Sequence, residues 1–178
     1  MSASSWNIDA THSVAEFKVR HLMISNVKGS FPKVAGVLTL DDADLSKSSV
    51  TASIDVASVE TRDAQRDGHL KSADFFDVEK FPTMEFKSTK VAITGTAEGT
   101  VEGNLTIRDV TKPVVFQVEG PTAPTKDPWG MTRVGVSATT KISRKEFGLV
   151  WNTLLEAGGA MVGDDVFITL DVEFVKAA

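Results

Sequence analysis

Apolar and polar residues alternate with a period of two along most of the chain, and this pattern predicts β-strands. Strands are predicted at residues 15–20, 37–40, 50–56, 84–87, 114–118, 134–142 and 166–175. In the last of these segments, apolar residues occupy one face and polar residues occupy the other. One apolar and one polar face per strand is typical of an antiparallel sheet with one side in water.

The most regular alternation covers residues 94–108, where small or apolar residues take the odd positions and polar residues the even ones. One strand of that length would be unusual, because strands average about 5–6 residues. We therefore predict a hairpin that turns near Ala97, Glu98 and Gly99. The glycines at 95, 99 and 103 share the inward face. They either bend a strand or make room in the interior, and a bend is the interpretation favoured here.

Together the patterns predict an all-β fold of roughly eight or nine strands in a single domain over residues 1–178. Amphipathic antiparallel strands either close into a barrel or stack as a sandwich, and an eight-stranded barrel can hold one small ligand. Two segments interrupt the strands, at 62–77 and 143–161, and both are predicted to contain short helices. The proline-rich stretch at 121–130 is predicted to be a turn between strands.

Composition narrows the functions open to the chain. The formal net charge of −5 argues against unspecific binding to nucleic acid or to an anionic membrane surface. The chain has no cysteine, which excludes thiol catalysis, disulfides and cysteine-based zinc sites. The three histidines, His12, His21 and His69, lack helical metal-motif spacing, and no nucleophile elbow or phosphate loop is present. We therefore expect no catalytic residue, no metal and no cofactor.

The first five residues carry neither a basic region nor an apolar run, so they do not form a signal peptide. No stretch approaches the roughly 20 apolar residues of a membrane-spanning helix. From these observations we expect a cytoplasmic protein that is not integral to a membrane.

Four segments, in order along the chain, resemble the YceI family of polyisoprenoid-binding, lipocalin-like proteins. They are IDATHSVAEFKVRHLMISNVKGSF at 8–31, RDAQRDGHLKSADFFDVEKFPTMEF at 62–86, GNLTIRDVTKPV at 103–114, and SRKEFGLVW at 143–151 followed by GDDVFITLDVEF at 163–174. These segments span nearly the whole chain, and their combination is specific. One departure is Arg108-Asp109, which stands where the family often has His-Gly, so a head-group contact at that corner would differ here.

The resemblance implies a closed antiparallel barrel with helical segments on its loops and an elongated apolar tunnel. It implies that the protein binds or transports a polyisoprenoid, a quinone or a fatty-acid-type lipid, with a link to stress response and without enzymatic activity. Many relatives are periplasmic, which contrasts with the cytoplasmic location expected here. A homodimer is compatible with the sequence, although no interface can be read from it.

Candidate ligand-binding residues follow from the inward faces and the two interrupting segments. The candidate wall consists of Phe17, Val19, Ile54, Phe86, Leu105, Ile107, Phe116, Val136 and Phe174. The candidate lids are Phe75, Phe76, Phe147, Trp151, Leu154 and Met161. The candidate head-group contacts are Arg62, Arg66 and His69, followed by Arg20 and His21. Ordinary core packing explains each wall residue equally well.

Two other functions stay open on the sequence alone. An enzyme acting inside the barrel would need a buried polar pair, such as His21 or His69 with a carboxylate. A protein-interaction module would instead have a barrel filled by side chains, with no continuous cavity.

The segment 62–77 is strongly polar and ends in two adjacent phenylalanines. Asp63 is predicted to cap a short helix by accepting from a backbone N–H in its first turn. On such a helix, Arg62, Arg66 and His69 would fall near one side. We interpret the segment as a plug over one barrel mouth, polar outward and aromatic inward, which acts either as a fixed stopper or as a lipid gate.

Overall fold

The computed structural model describes residues 3–153, 155 and 161–178. This part of the chain contains eleven β-strands and one α-helix, joined by turns and short 3₁₀ segments. They are β1 (Ala3–Ile8), β2 (Val14–His21), β3 (Ser25–Phe31), β4 (Val34–Asp41), β5 (Ser49–Asp55), α1 (Ala64–Lys71), β6 (Thr83–Gly95), β7 (Glu98–Ile107), β8 (Val110–Glu119), β9 (Thr125–Lys126), β10 (Thr132–Ser143) and β11 (Val162–Lys176).

Eight of these strands close into an antiparallel barrel, in the order β11, β1, β4, β5, β6, β7, β8 and β10. The ring closes where β10 pairs with β11, from Arg133 opposite Val175 to Ser143 opposite Asp165. Closure leaves these strands without the unpaired edges that an open sheet would expose. The predicted barrel of eight antiparallel strands is confirmed, and a stacked sandwich is excluded.

The β2–β3 hairpin extends the sheet beyond the ring. One edge of β11 pairs with β10. Its other edge pairs with β2 over its first part and with β1 over its last residues. Strand β3 pairs with β2 along its whole length and also meets the chain after β5 through a bridge between Ser30 and Glu60. The sequence did not reveal β3, because SNVKGSF carries little alternation and contains a glycine.

The connections define two ends of the barrel. The helix end carries α1, the turn between β7 and β8, and the loop that follows β10. The opposite end carries the connection from β4 to β5 and the turn between β6 and β7, where Ala97 adopts a left-handed φ of 56°. The hairpin predicted near Ala97 is therefore confirmed. Strand β10 runs between the two ends, and its 12 residues span about 40 Å.

The first interrupting segment contains the predicted short helix, whereas the second contains only a 3₁₀ turn among the described residues. Helix α1 occupies residues 64–71, and Asp63 caps it by accepting from the backbone N–H of Arg66 at 3.0 Å, as predicted. In the second segment only Arg144–Phe147 forms a 3₁₀ turn, which Gly148 ends with a left-handed φ of 82°. Residues 149–153 form no regular element, and Leu154 lies outside the described residues.

Candidate ligand-binding cavity

An apolar cavity of about 760 Å³ lies inside the barrel. This volume falls within the range of roughly 300–1,000 Å³ that small-molecule sites occupy. The lining includes Leu40 and Val50 at the opposite end, and Phe75 and Trp151 at the helix end. The cavity therefore extends along the barrel from one end to the other.

The period-two pattern of β10 and β11 builds one side of the cavity wall. Val166, Leu170 and Val172 of β11 lie opposite Ile142, Ala138 and Val136 of β10, and all six residues line the cavity. Successive side chains of a strand point to opposite faces, so every second residue contributes to the wall. The same alternation is present in the sequence, and the candidate wall residues from these two strands are Val136 and Phe174.

Gly103 makes room for an aromatic ring in the wall. A β-carbon at Gly103 would lie 2.4 Å from Cζ of Phe86, a distance that real β-carbons do not show. The Phe86 ring occupies that space and packs edge-on against Phe116, with ring centroids 5.2 Å apart. At this position the glycine accommodates a cavity-lining ring, which is the interior-room interpretation and not the favoured bend.

Three aromatic rings pack together at the helix end. The imidazole of His69 stands edge-on to Phe75 and to Trp151, with centroid distances of 5.0 and 4.7 Å. Phe75 and Trp151 are 5.4 Å apart, and all three side chains line the cavity. This aromatic cluster joins α1 to the loop after β10, and it covers the cavity at this end.

A polar network ties helix α1 to Thr61 in the segment that precedes it. The buried hydroxyl of Thr61 donates to the carboxylate of Asp67, and the backbone N–H of Thr61 donates to the same oxygen at 2.8 Å. Nε of Arg66 donates to the Thr61 hydroxyl at 2.8 Å. The guanidinium of Arg66 therefore lines the cavity in a fixed orientation.

Arg144 is a buried cation in the cavity wall that the sequence did not single out. Its side chain is 3% exposed, and its guanidinium donates to four backbone carbonyls. They belong to Leu149 (2.6 Å), Trp151 (2.9 Å), Val162 (3.2 Å) and Gly163 (2.7 Å). Arg144 thus ties the loop after β10 to the start of β11. A charged residue in a turn gives no sequence signal of burial, since arginine is mostly exposed.

The carboxylate of Asp164 lies near the buried guanidinium of Arg144, and the pKa values of both groups are shifted. Burial lowers the pKa of Arg144, and the carboxylate of Asp164 acts in the opposite direction. Burial alone would raise the pKa of Asp164. Hydrogen bonds from the Ser143 hydroxyl and the Lys145 backbone N–H outweigh it, so the pKa of Asp164 lies below its usual value. The site therefore holds one ionised carboxylate close to a buried guanidinium.

Most of the predicted ligand-site residues lie on the cavity lining. These are Phe17, Val19, Ile54, Arg66, His69, Phe75, Phe76, Phe86, Leu105, Ile107, Phe116, Val136, Trp151, Met161 and Phe174, together with Arg20 and His21. All candidate wall residues line the cavity because alternate residues of each strand face the interior of the barrel. The lining also contains residues that were not selected, such as Leu70, Met84 and Leu149.

Two predicted site residues do not lie on the lining. Arg62 precedes the cap of α1 with a left-handed φ of 70°, and its side chain is exposed. The prediction that it shares a helix side with Arg66 and His69 is therefore wrong. Phe147 is fully buried in the core beneath the 3₁₀ turn, so its predicted role as a lid is also wrong.

Arg108, the departure from the family pattern, lies at the turn between β7 and β8 and away from the cavity lining. It donates to the carbonyl of Gly148 at 3.3 Å, lies 4.0 Å from the carboxylate of Asp77, and faces the ring of Phe81. These contacts join three loops of the helix end.

Within the part of the chain that the structure describes, no group of three histidine or acidic residues is placed to hold a metal ion. No helix among the described residues is long and apolar enough to cross a membrane.

The closed barrel and its apolar cavity define a small β-barrel with an internal ligand-sized space. The YceI-like domain matches residues 6–174, and the chain therefore belongs to this family. A UPF0312 protein of Staphylococcus aureus is 37% identical over 172 residues, covering 96% of this chain and 97% of that protein. A UPF0312 protein of Vibrio cholerae is 40% identical over 150 residues, covering 83% of this chain and 79% of that protein.

Solved structures share the same architecture. The YCEI protein of Campylobacter jejuni superposes with a TM-score of 0.75 at 32% identity, covering 90% of this chain and 91% of that chain. BcnA of Burkholderia cenocepacia gives a TM-score of 0.79 at 22% identity, covering 93% and 98%. A polyisoprenoid-binding domain from Saccharophagus degradans gives 0.69 at 14% identity, covering 99% and 100%. The last two comparisons show the fold alone.

Proposed function

We propose that this protein binds and carries a long-chain isoprenoid or another amphiphilic lipid inside its barrel, without catalysing a reaction on it. The observation that carries the proposal is the apolar cavity of about 760 Å³, whose lining extends from one end of the barrel to the other. A compact polar metabolite would leave most of this wall without a partner, whereas a long hydrocarbon chain would cover it.

Burial of the chain supplies the driving force in this proposal. Each buried CH₂ group contributes about 0.8 kcal/mol, so a five-carbon isoprene unit contributes roughly 3–4 kcal/mol before ordering costs. A few units in the cavity would offset the costs of association and ordering. Length and width of the cavity would then set selectivity, because hydrocarbon chains offer few polar groups to recognise.

The head group of the lipid would lie at the helix end. All arginine and lysine residues of the lining, namely Arg20, Arg66 and Arg144, are found there, together with His21 and His69. Arg144 already donates to four backbone carbonyls, so Arg20, Arg66 and the two histidines are the donors left to meet a diphosphate, a carboxylate or a quinone carbonyl. The neighbour described as polyisoprenoid-binding is consistent with this ligand class. At 14% identity this likeness shows the fold alone. The proposal therefore rests on the cavity.

The enzyme alternative depends on one observed pair. Nε2 of His69 lies 2.9 Å from the carboxylate of Asp74, but more than a third of each side chain is exposed. These residues do not form a buried pair inside the barrel, and the His69 ring is part of the aromatic cluster with Phe75 and Trp151. Replacement of His69 by glutamine should leave lipid binding in place, and loss of a measurable turnover would favour the enzyme. The filled-barrel alternative does not fit the observed cavity.

A matched pair of variants tests the proposal. Ala138 of β10 faces the cavity, whereas its neighbour Thr139 is exposed on the outer face. Ala138→Phe should place a ring in the cavity and displace bound lipid, and Thr139→Phe should leave lipid content unchanged. Lipid is measured by solvent extraction of the purified protein followed by mass spectrometry, with folding checked by circular dichroism.

The proposal fails if the wild-type protein yields no stoichiometric lipid and added isoprenoids or quinones leave its melting temperature unchanged. It also fails if both phenylalanine variants retain lipid equally.

A further inference from the structure

The turn between β2 and β3 exposes two apolar side chains. Met23 is 51% exposed and Ile24 is 75% exposed, and both lie at the tip of the hairpin. Single exposed apolar residues are common on protein surfaces. Met23 and Ile24 are adjacent and lie at the end of a hairpin that extends the sheet. Together they form a small exposed apolar surface, which we call the apolar tip.

The backbone of this turn is unfavourable for the residues that form it. Leu22 and Met23 adopt left-handed φ values of 51° and 60°, and the N–H of Ile24 donates to the carbonyl of His21 at 3.1 Å. Three residues, Leu22 to Ile24, separate the paired His21 and Ser25, and the first two have the φ signs of a type I′ turn, for which asparagine and glycine are strongly preferred. Leucine and methionine are strained in this conformation, and such strain is typical of functional positions.

The apolar tip lies beside the cavity at the helix end. Arg20 and His21, which precede the turn, line the cavity, and the N–H of Leu22 donates to the carbonyl of the lining residue Met161 at 2.8 Å. The N–H of Met161 in turn donates to the carbonyl of Thr153 at 2.9 Å. The tip is therefore hydrogen-bonded to the loop that follows β10.

That loop presents a third exposed apolar side chain. Val150 is 62% exposed, and it lies between Leu149 and Trp151, which both line the cavity. Two neighbouring loops thus carry apolar side chains outward at the same end of the barrel. Their immediate neighbours in sequence line the cavity.

The β2–β3 hairpin is locally basic in an acidic protein. Residues 14–31 contain Lys18, Arg20 and Lys28 against the single acidic residue Glu16, whereas the whole chain has a net charge of −5. Lys18 and Lys28 are directly opposite each other in the strand register. Cationic side chains behind an apolar tip are suited to the phosphate layer above the acyl chains of a bilayer.

From these observations we infer that the β2–β3 hairpin and Val150 form a docking surface for a phospholipid bilayer, with Met23 and Ile24 inserted among the acyl chains. The inference rests on the proposed function, because the docked protein would take up its cavity lipid from that bilayer. Burial of Met23 and Ile24 among the acyl chains supplies the binding free energy. The basic residues of the hairpin orient it by contacting the lipid phosphates.

Co-flotation with phospholipid vesicles tests the inference. The full-length protein should bind vesicles of equimolar phosphatidylcholine and phosphatidylglycerol, and it should bind phosphatidylcholine alone more weakly. The double substitution Met23→Ser, Ile24→Ser should weaken binding at least about tenfold, because two apolar side chains no longer leave water. The matched control is Trp129→Ser, since Trp129 is 81% exposed and precedes β10 at the opposite end of the barrel. This control should bind as the wild type does.

A second variant separates docking from folding. Leu22→Asn with Met23→Gly supplies the residues that a type I′ turn prefers, so it should raise the melting temperature and still weaken vesicle binding. Vesicle binding equal to wild type in either double variant would overturn the inference. So would a wild-type protein that does not float with vesicles, or an equal loss in Trp129→Ser. A protein without extractable cavity lipid whose flotation still depends on Met23 and Ile24 would refute the proposed function and support docking.

Discussion

Arg144 donates to four backbone carbonyls, which we call the carbonyl cage. Replacing Arg144 by leucine tests whether these hydrogen bonds hold the loops of the helix end together. Leucine keeps an apolar side chain of moderate volume in the wall but removes all four hydrogen bonds of the guanidinium. The carbonyls of Leu149, Trp151, Val162 and Gly163 then lose a common donor. The loop after β10 and the start of β11 are no longer joined through this side chain.

The expected cost follows from the burial of the site. Hydrogen bonds to a charged group contribute about 1.5–3 kcal/mol each, but four bonds to one side chain are not additive. Part of the loss is offset because the guanidinium, at 3% exposure, no longer has to be desolvated. Buried carbonyls left without a donor cost about 1–3 kcal/mol each, so with this offset we expect a net loss of about 3–5 kcal/mol, which corresponds to a fall in melting temperature of roughly 6–20 °C for a chain of this size.

Thermal and urea denaturation measure this effect directly, with Lys145→Leu as the control. Lys145 is the exposed neighbour of Arg144 in the same 3₁₀ turn, so its replacement changes charge and side chain without affecting the cage. Surface substitutions of this kind usually change stability by less than about 0.5 kcal/mol. Arg144→Lys should fall between the two, since one ammonium reaches fewer carbonyls. Equal melting of the two leucine variants would refute the reasoning.

Three further predictions concern the ion pair between Arg133 and Asp9, the adjacent Phe75 and Phe76 at the helix end, and the cavity wall. A side-chain hydrogen bond from Arg133 is the largest cause that holds the pKa of Asp9 below its usual value, so this contact stabilises the fold near neutral pH and the stability is lost as pH falls below about 4. Arg133→Met should therefore give a melting temperature that depends less on pH between neutrality and strong acid, and an unchanged profile would contradict the assignment. Phe75→Ala with Phe76→Ala should lower stability by several kcal/mol and speed exchange of a fluorescent isoprenoid. Unchanged exchange would identify the segment as a fixed stopper. Gly103→Val should displace a wall ring and cost about 1–3 kcal/mol in urea denaturation, a prediction that an unaltered midpoint would exclude.

Much of the barrel was predictable because burial on one side forces a period of two. Strand β11 shows this most clearly, since Val166, Leu170 and Val172 all lie on the cavity lining. Strand β3 was not predictable in the same way, because it lies on the hairpin outside the closed ring and contains Gly29, whose position leaves room for the ring of Phe17.

The candidate site was predictable in its wall and less so at its polar end. Arg62 and Arg66 are equally basic in the sequence, but the cap of α1 falls between them and turns only Arg66 toward the cavity. Phe147 and Trp151 are both aromatic residues of one family segment, and the path of the loop buries one and brings the other to the cavity. Such differences depend on where an element begins and on loop geometry, which residue type does not encode.

The sharing of β11 between several partners has a consequence for the order of folding. Strand β11 supplies one wall of the ring and pairs with β10, β1 and β2, so contacts as distant in sequence as Trp6 with Lys176 form only after β11 has been synthesised. Pairings of such high contact order form slowly. Until β11 has left the ribosome, the preceding strands have open edges and enclose no volume. The cavity proposed to hold lipid therefore forms only after β11 has paired, and the unclosed chain is the species most exposed to aggregation.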